Sequence, residues 1–256
     1  MLILLSPAKT LDFESPPTTR STSMPLFLEN SAELVDCLRS FSAKQLGELM
    51  GMSDTLAELN HQRFADWSVP FTSDNARQAI LAFRGQVFDG LDADSYSAKD
   101  FKTAQASLRI LSGLHGILRP LDLIQPYRLE MGTRLKNPGG KNLYEFWGTK
   151  ITDMINADLS KEETPVVVNL ASNEYFKSVK SKQLEGRIVT PGFKEERDGG
   201  YKQISFFAKV ARGQMASYII KNQLTDPEQI KSFDLDGYQF NAEISSDDNW
   251  VFSRAS

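Results

Sequence analysis

Four polar segments of the chain carry side chains suited to binding or catalysis. The first, residues 6–10, follows an apolar run and offers the hydroxyl of Ser6 and the ammonium group of Lys9. Ligands bind outside the carboxyl ends of strands in open sheets, so both residues are candidates for binding an anion. An ordinary surface turn explains the same residues equally well.

The second segment, residues 113–132, combines glycines with arginines. Glycine lets backbone N–H groups approach a phosphate closely, and arginine binds phosphate or carboxylate with two parallel hydrogen bonds. The candidates for anion binding here are Gly113, Gly116, Arg119, Arg128 and, just beyond the segment, Arg134, with Glu130 as a candidate catalytic acid or base. The alternative is that the arginines pair with Asp122 and Glu130 and have only a structural role.

The third segment, residues 169–177, directly follows the clearest buried strand in the sequence. It places an amide, a hydroxyl, a carboxylate, a phenol and an amine within nine residues, and such density beyond a strand indicates a site. The candidates are Asn169, Ser172, Glu174, Tyr175 and Lys177, with Glu174 and Lys177 also candidates for catalysis. The alternative is that Ser172 caps a helix and Glu174 is a solvated surface residue.

The fourth segment, residues 206–213, carries Lys209 and Arg212. Residues three apart share a face of a helix, and the start of a helix adds positive potential. These two cations are therefore further candidates for anion binding. The alternative is a solvated basic face.

Metal and cofactor chemistry finds little support in the sequence. One Cys and two His are too few for a Cys/His zinc site, and carboxylate storage of iron lacks a Glu-x-x-His pair. Phosphate-loop, dinucleotide-binding, nucleophile-elbow and zinc-protease motifs do not occur. We therefore expect neither a metal nor a cofactor, and iron storage is the least favoured function.

Short strands and longer helices must position these segments. Helices precede most of the strands without a regular strand–helix alternation, which favours a mixed α+β sheet over a doubly wound fold. The predicted helices are 29–41, 43–50, one that includes 56–67, 75–83, 101–111, 143–159, 174–179 and 208–224. The predicted strands are 1–5, 166–171, 187–190, 203–207, 238–240 and 250–252, with a turn at 198–200 and edge positions for the last two.

Charge is distributed unevenly along the 256 residues. The net charge is −4, yet residues 99–150 and residues 168–221 each carry a net charge of +5 between acidic stretches. Clustered basic residues suit a partner that bears phosphates, whatever the net charge. No repeat, low-complexity stretch or clear linker divides the sequence, so we expect one domain, residues 1–256. No apolar run resembles a signal peptide or a membrane span, so we expect a cytoplasmic protein without a membrane partner.

The four segments resemble the YaaA family of peroxide stress proteins, also called DUF328 or UPF0246. The resemblance covers residues 1 to about 252 and rests on MLILLSPAKTLDF, GLHGILRPLDLIQPYRLEMG, NLASNEYFK and FFAKVARG. It implies a mixed α/β fold specific to the family, with a helix-hairpin-helix-like element at residues 108–121. It also implies a cytoplasmic role in the response to hydrogen peroxide that limits damage from free iron, and DNA binding through a basic cleft.

Two hypotheses of function follow. In the first, the candidate cations line one cleft and contact the phosphates of duplex DNA with weak sequence preference. In the second, the same groups form the pocket of an enzyme for a small anionic substrate. Glu130 or Glu174 is then the acid or base, and Lys9 or Lys177 the electrophile or nucleophile. The resemblance attaches no reaction, so whether the protein is an enzyme stays open.

Overall fold

An eight-stranded mixed sheet lies at the centre of the computed structural model, which describes residues 1–197 and 199–255. Its strand order is β11-β12-β9-β8-β1-β5-β6, with β10 paired to β9, and β2–β4 and β3–β7 form two small separate sheets. The strands are β1 (Leu2–Leu5), β2 (Thr10–Leu11), β3 (Arg77–Gln78), β4 (Phe83–Arg84), β5 (Leu108–Ser112), β6 (Gly116–Leu118), β7 (Leu123–Ile124), β8 (Val166–Asn169), β9 (Arg187–Arg197), β10 (Gly200–Lys202), β11 (Gln239–Phe240) and β12 (Asn249–Ala255).

Helices pack against this sheet. They are α1 (Leu28–Arg39), α2 (Ala43–Met50), α3 (Asp54–Asp66), α4 (Ala79–Ala82), α5 (Gln86–Leu91), α6 (Ala98–Ser107), α7 (Leu143–Trp147), α8 (Lys150–Leu159), α9 (Asn173–Phe176) and α10 (Ser205–Lys221). Local sequence sets several of the ends. A capping box between Ser42 and Gln45 starts α2, and Gly51, with a φ of 61°, ends it in the left-handed region.

Strand direction in the middle of the sheet decides where polar side chains can meet. β12, β9, β8, β1 and β5 run parallel, whereas β6 is antiparallel to β5. The four residues of β1 are buried, as expected for a strand covered on both faces. The carboxyl ends of the neighbouring strands β8, β1 and β5 therefore share one edge, and the third, first and second segments begin there.

The predicted mixed sheet packed by helices is confirmed, but five of the predicted elements are wrong. The helix predicted at 101–111 ends at Ser107, and the residues after it belong to β5. Residues 75–83 contain only the short helix α4 between β3 and β4. The helix predicted at 143–159 is divided at Gly148 into α7 and α8. No strand forms at 203–207, because α10 begins at Ser205, and β12 lies between β11 and β9 rather than at an edge. The turn predicted at 198–200 includes Asp198, which lies outside the described residues; β9 and β10 pair on either side of it.

The helix-hairpin-helix-like element is not found at residues 108–121. Helix α6 ends at Ser107, and residues 108–118 form the antiparallel pair β5–β6 with Ser112 opposite Gly116. All five residues of β5 are buried, and β5 pairs with β1 on one side and β6 on the other. A continuous apolar run fits a buried strand as well as a buried helix, and strand pairing decides between them here.

No helix within residues 1–197 or 199–255 has both the length and the hydropathy needed to cross a bilayer.

Candidate anion-binding cleft at the carboxyl edge of the sheet

The first and third segments meet where β1 and β8 end. The backbone N–H of Ser172 donates to Oγ of Ser6 at 2.8 Å, and the two hydroxyl oxygens lie 3.3 Å apart. Two residues earlier along the same pair of strands, the N–H of Leu170 donates to the carbonyl oxygen of Leu4 at 3.0 Å. The parallel pairing of the strands thus continues into the two polar segments.

Residues 127–132 of the second segment cross the same edge as a strap. The hydroxyl groups of Tyr127 and Ser112 lie 2.6 Å apart, which fixes the strap to the end of β5. Gly113 packs beneath it so closely that a Cβ there would lie 2.3 Å from the carbonyl oxygen of Leu129. At the far end, the N–H of Gly132 donates to Oε1 of Glu174 at 2.9 Å. The strap therefore links the second segment to the third.

A cluster of three charges lies on the strap and the first segment. Oε1 of Glu130 accepts from Nζ of Lys9 at 3.0 Å and from Nη2 of Arg128 at 3.1 Å. Lys9 is 61% exposed, so its ion pair is screened by water and contributes little to stability. Nε of Arg128 is buried and has no hydrogen-bond partner in the part of the chain that the structure describes. Both cations are therefore available to an anion that displaces Glu130.

Tyrosines border this cluster. Burial raises the pKa of Tyr175 well above its usual range, so its hydroxyl stays protonated. Nζ of Lys177 lies 5.0 Å from the ring centroid of Tyr144, a cation–π distance. The pocket between residues 7–9, the strap and Tyr175 has a volume of about 20 Å³, which is room for one water-sized group.

We call this surface the edge cleft. It consists of Ser6, Lys9, Arg128, Glu130, Ser172, Glu174, Tyr175 and Lys177. Arg134 lies two residues beyond the strap, is exposed, and forms no ion pair within residues 1–197 and 199–255. Asn169 is buried, and its Oδ1 accepts from the N–H of Ala171 at 3.1 Å, which shapes the turn after β8.

Arg119 is not brought to the edge cleft. It follows β6, which runs antiparallel to β5, so it lies toward the opposite edge of the sheet. Its Nε and Nη2 donate to Oδ1 of Asp122 at 3.1 and 2.9 Å, and Nη2 also donates to the carbonyl oxygen of Met24. The structural alternative, a pair with Asp122, is the one observed.

Replacing Arg119 with Ala should destabilise the fold without affecting anion binding. Asp122 is fully buried, and breaking a buried ion pair costs about 3 kcal/mol because one charge is left without its partner. Urea unfolding measures the loss. An unchanged unfolding free energy would contradict the structural role of Arg119.

The two glycines of the second segment are packing residues. Gly116 has a φ of 68°, and a Cβ there would lie 2.8 Å from the ring of Trp147. Nε1 of that tryptophan donates to the carbonyl oxygen of Gly113 at 3.0 Å. Both glycines are buried, so their N–H groups are not presented to a phosphate at the surface.

The fourth segment does not join the other three. α10 packs tightly on α5, since a Cβ on Gly213 would lie 1.8 Å from the carbonyl oxygen of Val87. Gly85, which precedes α5, lies beside Ala8 of the first segment. No hydrogen bond or ion pair among the described residues connects Lys209 or Arg212 to the edge cleft. Burial lowers the pKa of Arg212, which is half-buried on this helix.

Sequence reasoning missed the part played by Asp12. Its Oδ1 accepts from the N–H groups of Glu14 and Ser15 at 2.9 and 3.0 Å, and its Oδ2 accepts from Arg84. The hydrogen bond from the Ser15 N–H is the main reason that the pKa of Asp12 lies well below its usual range. An aspartate followed by a loop is a turn signal that could have identified this anchor of residues 13–15.

His115 is a buried neutral histidine that predicts acid sensitivity. Nδ1 of His115 lies 2.8 Å from Oγ of Ser31, and the Ser31 hydroxyl is also within hydrogen-bond distance of the carbonyl oxygen of Phe27. Burial lowers the pKa of His115 to about 3. The unfolded chain binds this proton near pH 6.5, so stability falls by about 1.4 kcal/mol per pH unit from there toward pH 3.

The variant His115→Gln should lose this part of the pH dependence. Urea midpoints measured between pH 7 and pH 4.5 test it, with His61→Gln as the control that keeps the slope. The same slope in His115→Gln and in the unmodified protein would assign the acid sensitivity to other groups.

The described residues contain no group of three or more His, Cys, Asp or Glu side chains placed to hold a metal ion.

Comparisons with known proteins agree over nearly the full length. A family model described as peroxide stress protein YaaA matches residues 1–244. UPF0246 proteins of Ralstonia nicotianae and Colwellia psychrerythraea are 57% and 58% identical over 254 residues, covering 99% of this chain and of each relative. A UPF0246 protein of Teredinibacter turnerae is 56% identical over 255 residues with the same coverage. The resemblance seen in the sequence is confirmed.

Proposed function

This chain belongs to the family of the peroxide stress protein YaaA, and on that premise we propose that it binds duplex DNA through the edge cleft. In the proposed role, which is cytoplasmic, the bound protein limits the damage that peroxide and free iron cause to DNA. The family description supports the link to peroxide, and the cations of the edge cleft support the contact with DNA.

The observation that carries the proposal is the form of the edge cleft. Lys9 lines a pocket of only about 20 Å³, and Lys9, Arg134 and Lys177 are all exposed. Pockets that enclose small molecules usually measure about 300–1,000 Å³. An open, basic edge suits the backbone of an extended polyanion better than a substrate that must be enclosed.

The contacts that the edge cleft offers are contacts to phosphates. Its cations come from loops and from the short helix α9. None of them is part of a long helix that could lie in the major groove and hydrogen-bond to base edges. Contacts to phosphate position a protein on DNA without identifying the sequence, so we expect weak sequence preference.

Fluorescence anisotropy with a labelled duplex at several salt concentrations tests the proposal. Neutralising about four phosphates with the edge-cleft cations Lys9, Arg128 and Lys177 and with the exposed Arg134 beyond the strap gives a log–log salt slope of about −4. Two duplexes of unrelated sequence should show similar affinity. No binding at low salt, or binding that does not change with salt, would overturn the proposal.

A second candidate function is catalysis on a small anion. The observation that favours it is the unpaired Nε of the half-buried Arg128, which lies beside Glu130 and the protonated phenol of Tyr175. In this case Arg128 holds the anion and Glu130 acts as acid or base. Replacing Glu130 separates the two functions, because a catalytic carboxylate is needed for turnover, whereas a carboxylate facing phosphates opposes binding.

A further inference from the structure

A second opening in the molecule lies beneath the loop of residues 13–22. It is a cavity of about 700 Å³ between this loop, the 73–78 segment and the β7 region, and Phe13, Leu123 and Pro126 contribute apolar walls. Gln78 holds the loop in place, because its Nε2 donates to the carbonyl oxygens of Thr19 and Ser21 at 2.9 and 3.1 Å. The volume is typical of small-molecule sites.

Arg77 lines this cavity, and only part of its guanidinium group is hydrogen-bonded. It is only 6% exposed, and its Nη1 donates to the carbonyl oxygen of Ser15. Its Nε and Nη2 are buried and have no hydrogen-bond partner within residues 1–197 and 199–255. A buried cation whose N–H groups are unpaired is costly, so such an arrangement calls for a partner of opposite charge.

The chemistry of the two unpaired nitrogens identifies that partner. Nε and Nη2 form one edge of the guanidinium plane, and this edge donates two parallel hydrogen bonds to the oxygens of a carboxylate or phosphate. We propose that the cavity beneath the 13–22 loop binds a small organic anion, with its carboxylate or phosphate held by Arg77 and its apolar part against Phe13 and Leu123.

The remaining charges around the cavity restrict the size of this anion. Arg20 is exposed, lines the cavity and forms no ion pair with other described residues. Glu14 and Asp74 also line the cavity and are exposed. Two acidic side chains at the opening repel a polyanion such as DNA but admit a ligand with one anionic group. The site shares no residue with the edge cleft, so each proposal can fail without the other.

Isothermal titration with benzoate, phenyl phosphate and benzyl alcohol tests the proposal. The three probes share a ring and differ in the polar group, so they distinguish a carboxylate, a phosphate and a neutral group. We expect saturable binding of at least one anion and none of the alcohol. Arg77→Lys, which keeps the charge but removes the two-bond edge, should weaken binding about tenfold or more. Lys182→Ala, an exposed lysine outside the cavity, should bind as the unmodified protein does.

Two further variants keep the test decisive if Arg77→Lys does not fold. Ser73→Trp, at an exposed position on the cavity wall, should block the cavity and abolish binding. Arg20→Ala should weaken binding less than the loss of the Arg77 edge. Failure of both anions to bind the unmodified protein, or equal binding by the folded Arg77→Lys or Ser73→Trp protein, would overturn the proposal.

Discussion

Gly113→Ala is expected to lower the free energy of unfolding by about 3 kcal/mol, at the upper end of the usual cost of overpacking. The added Cβ would lie 2.3 Å from the carbonyl oxygen of Leu129 and 3.0 Å from its carbonyl carbon. Both are backbone atoms of the strap, so the strap itself must move. Chemical denaturation measures the loss.

Gly192→Ala is the matched control for this change. Gly192 is a glycine of strand β9, and the nearest atom to its added Cβ is the carbonyl oxygen of Trp250 at 3.9 Å, an ordinary contact distance. We expect a change within about 1 kcal/mol. Equal, small losses of unfolding free energy in both variants would contradict the tight packing of the strap on Gly113.

The triple variant Lys9→Ala/Arg134→Ala/Lys177→Ala should lose on the order of 100-fold in affinity for duplex DNA. All three side chains are exposed, so the fold should tolerate the change. Each removed cation takes away about one phosphate contact, so the salt slope should become shallower by about three. Anisotropy measured at several salt concentrations gives both quantities.

A second triple variant controls for the loss of three positive charges. Lys44, Lys102 and Lys182 are exposed lysines outside the three converging segments. Their replacement with Ala lowers the net charge equally and should change the salt slope much less. Equal losses in the two triple variants would indicate that DNA binding follows net charge rather than the edge cleft.

Part of this architecture can be predicted from the sequence. The apolar runs that form β1 and β8 are followed at once by polar segments, so a shared strand edge is a direct expectation. Ser42 and Gly51 fix both ends of α2 by local chemistry alone. These features depend on neighbouring residues in the chain, which the sequence displays.

The predictions that the structure overturns concern features that depend on pairing between residues distant in the chain. The apolar run of β5 is compatible with a helix or a strand until its neighbours β1 and β6 are known. Because β6 runs antiparallel to β5, Arg119 lies at the opposite edge of the sheet. The sequence of β6 does not reveal that direction. Arg77 lies in a stretch predicted to be helical, so nothing in the sequence indicates that two buried nitrogens of its guanidinium would lack hydrogen-bond partners beside a cavity.

Glu130→Gln tests phosphate binding at the edge cleft most directly, because it predicts a gain that damage to the fold cannot imitate. In the unmodified protein, the carboxylate of Glu130 forms ion pairs with Lys9 and Arg128 at 3.0 and 3.1 Å. A neutral amide of the same shape frees both cations for phosphates, so affinity for duplex DNA should rise about three- to tenfold with a steeper salt slope. Unchanged or weaker DNA binding by the folded Glu130→Gln protein would contradict phosphate binding at this site.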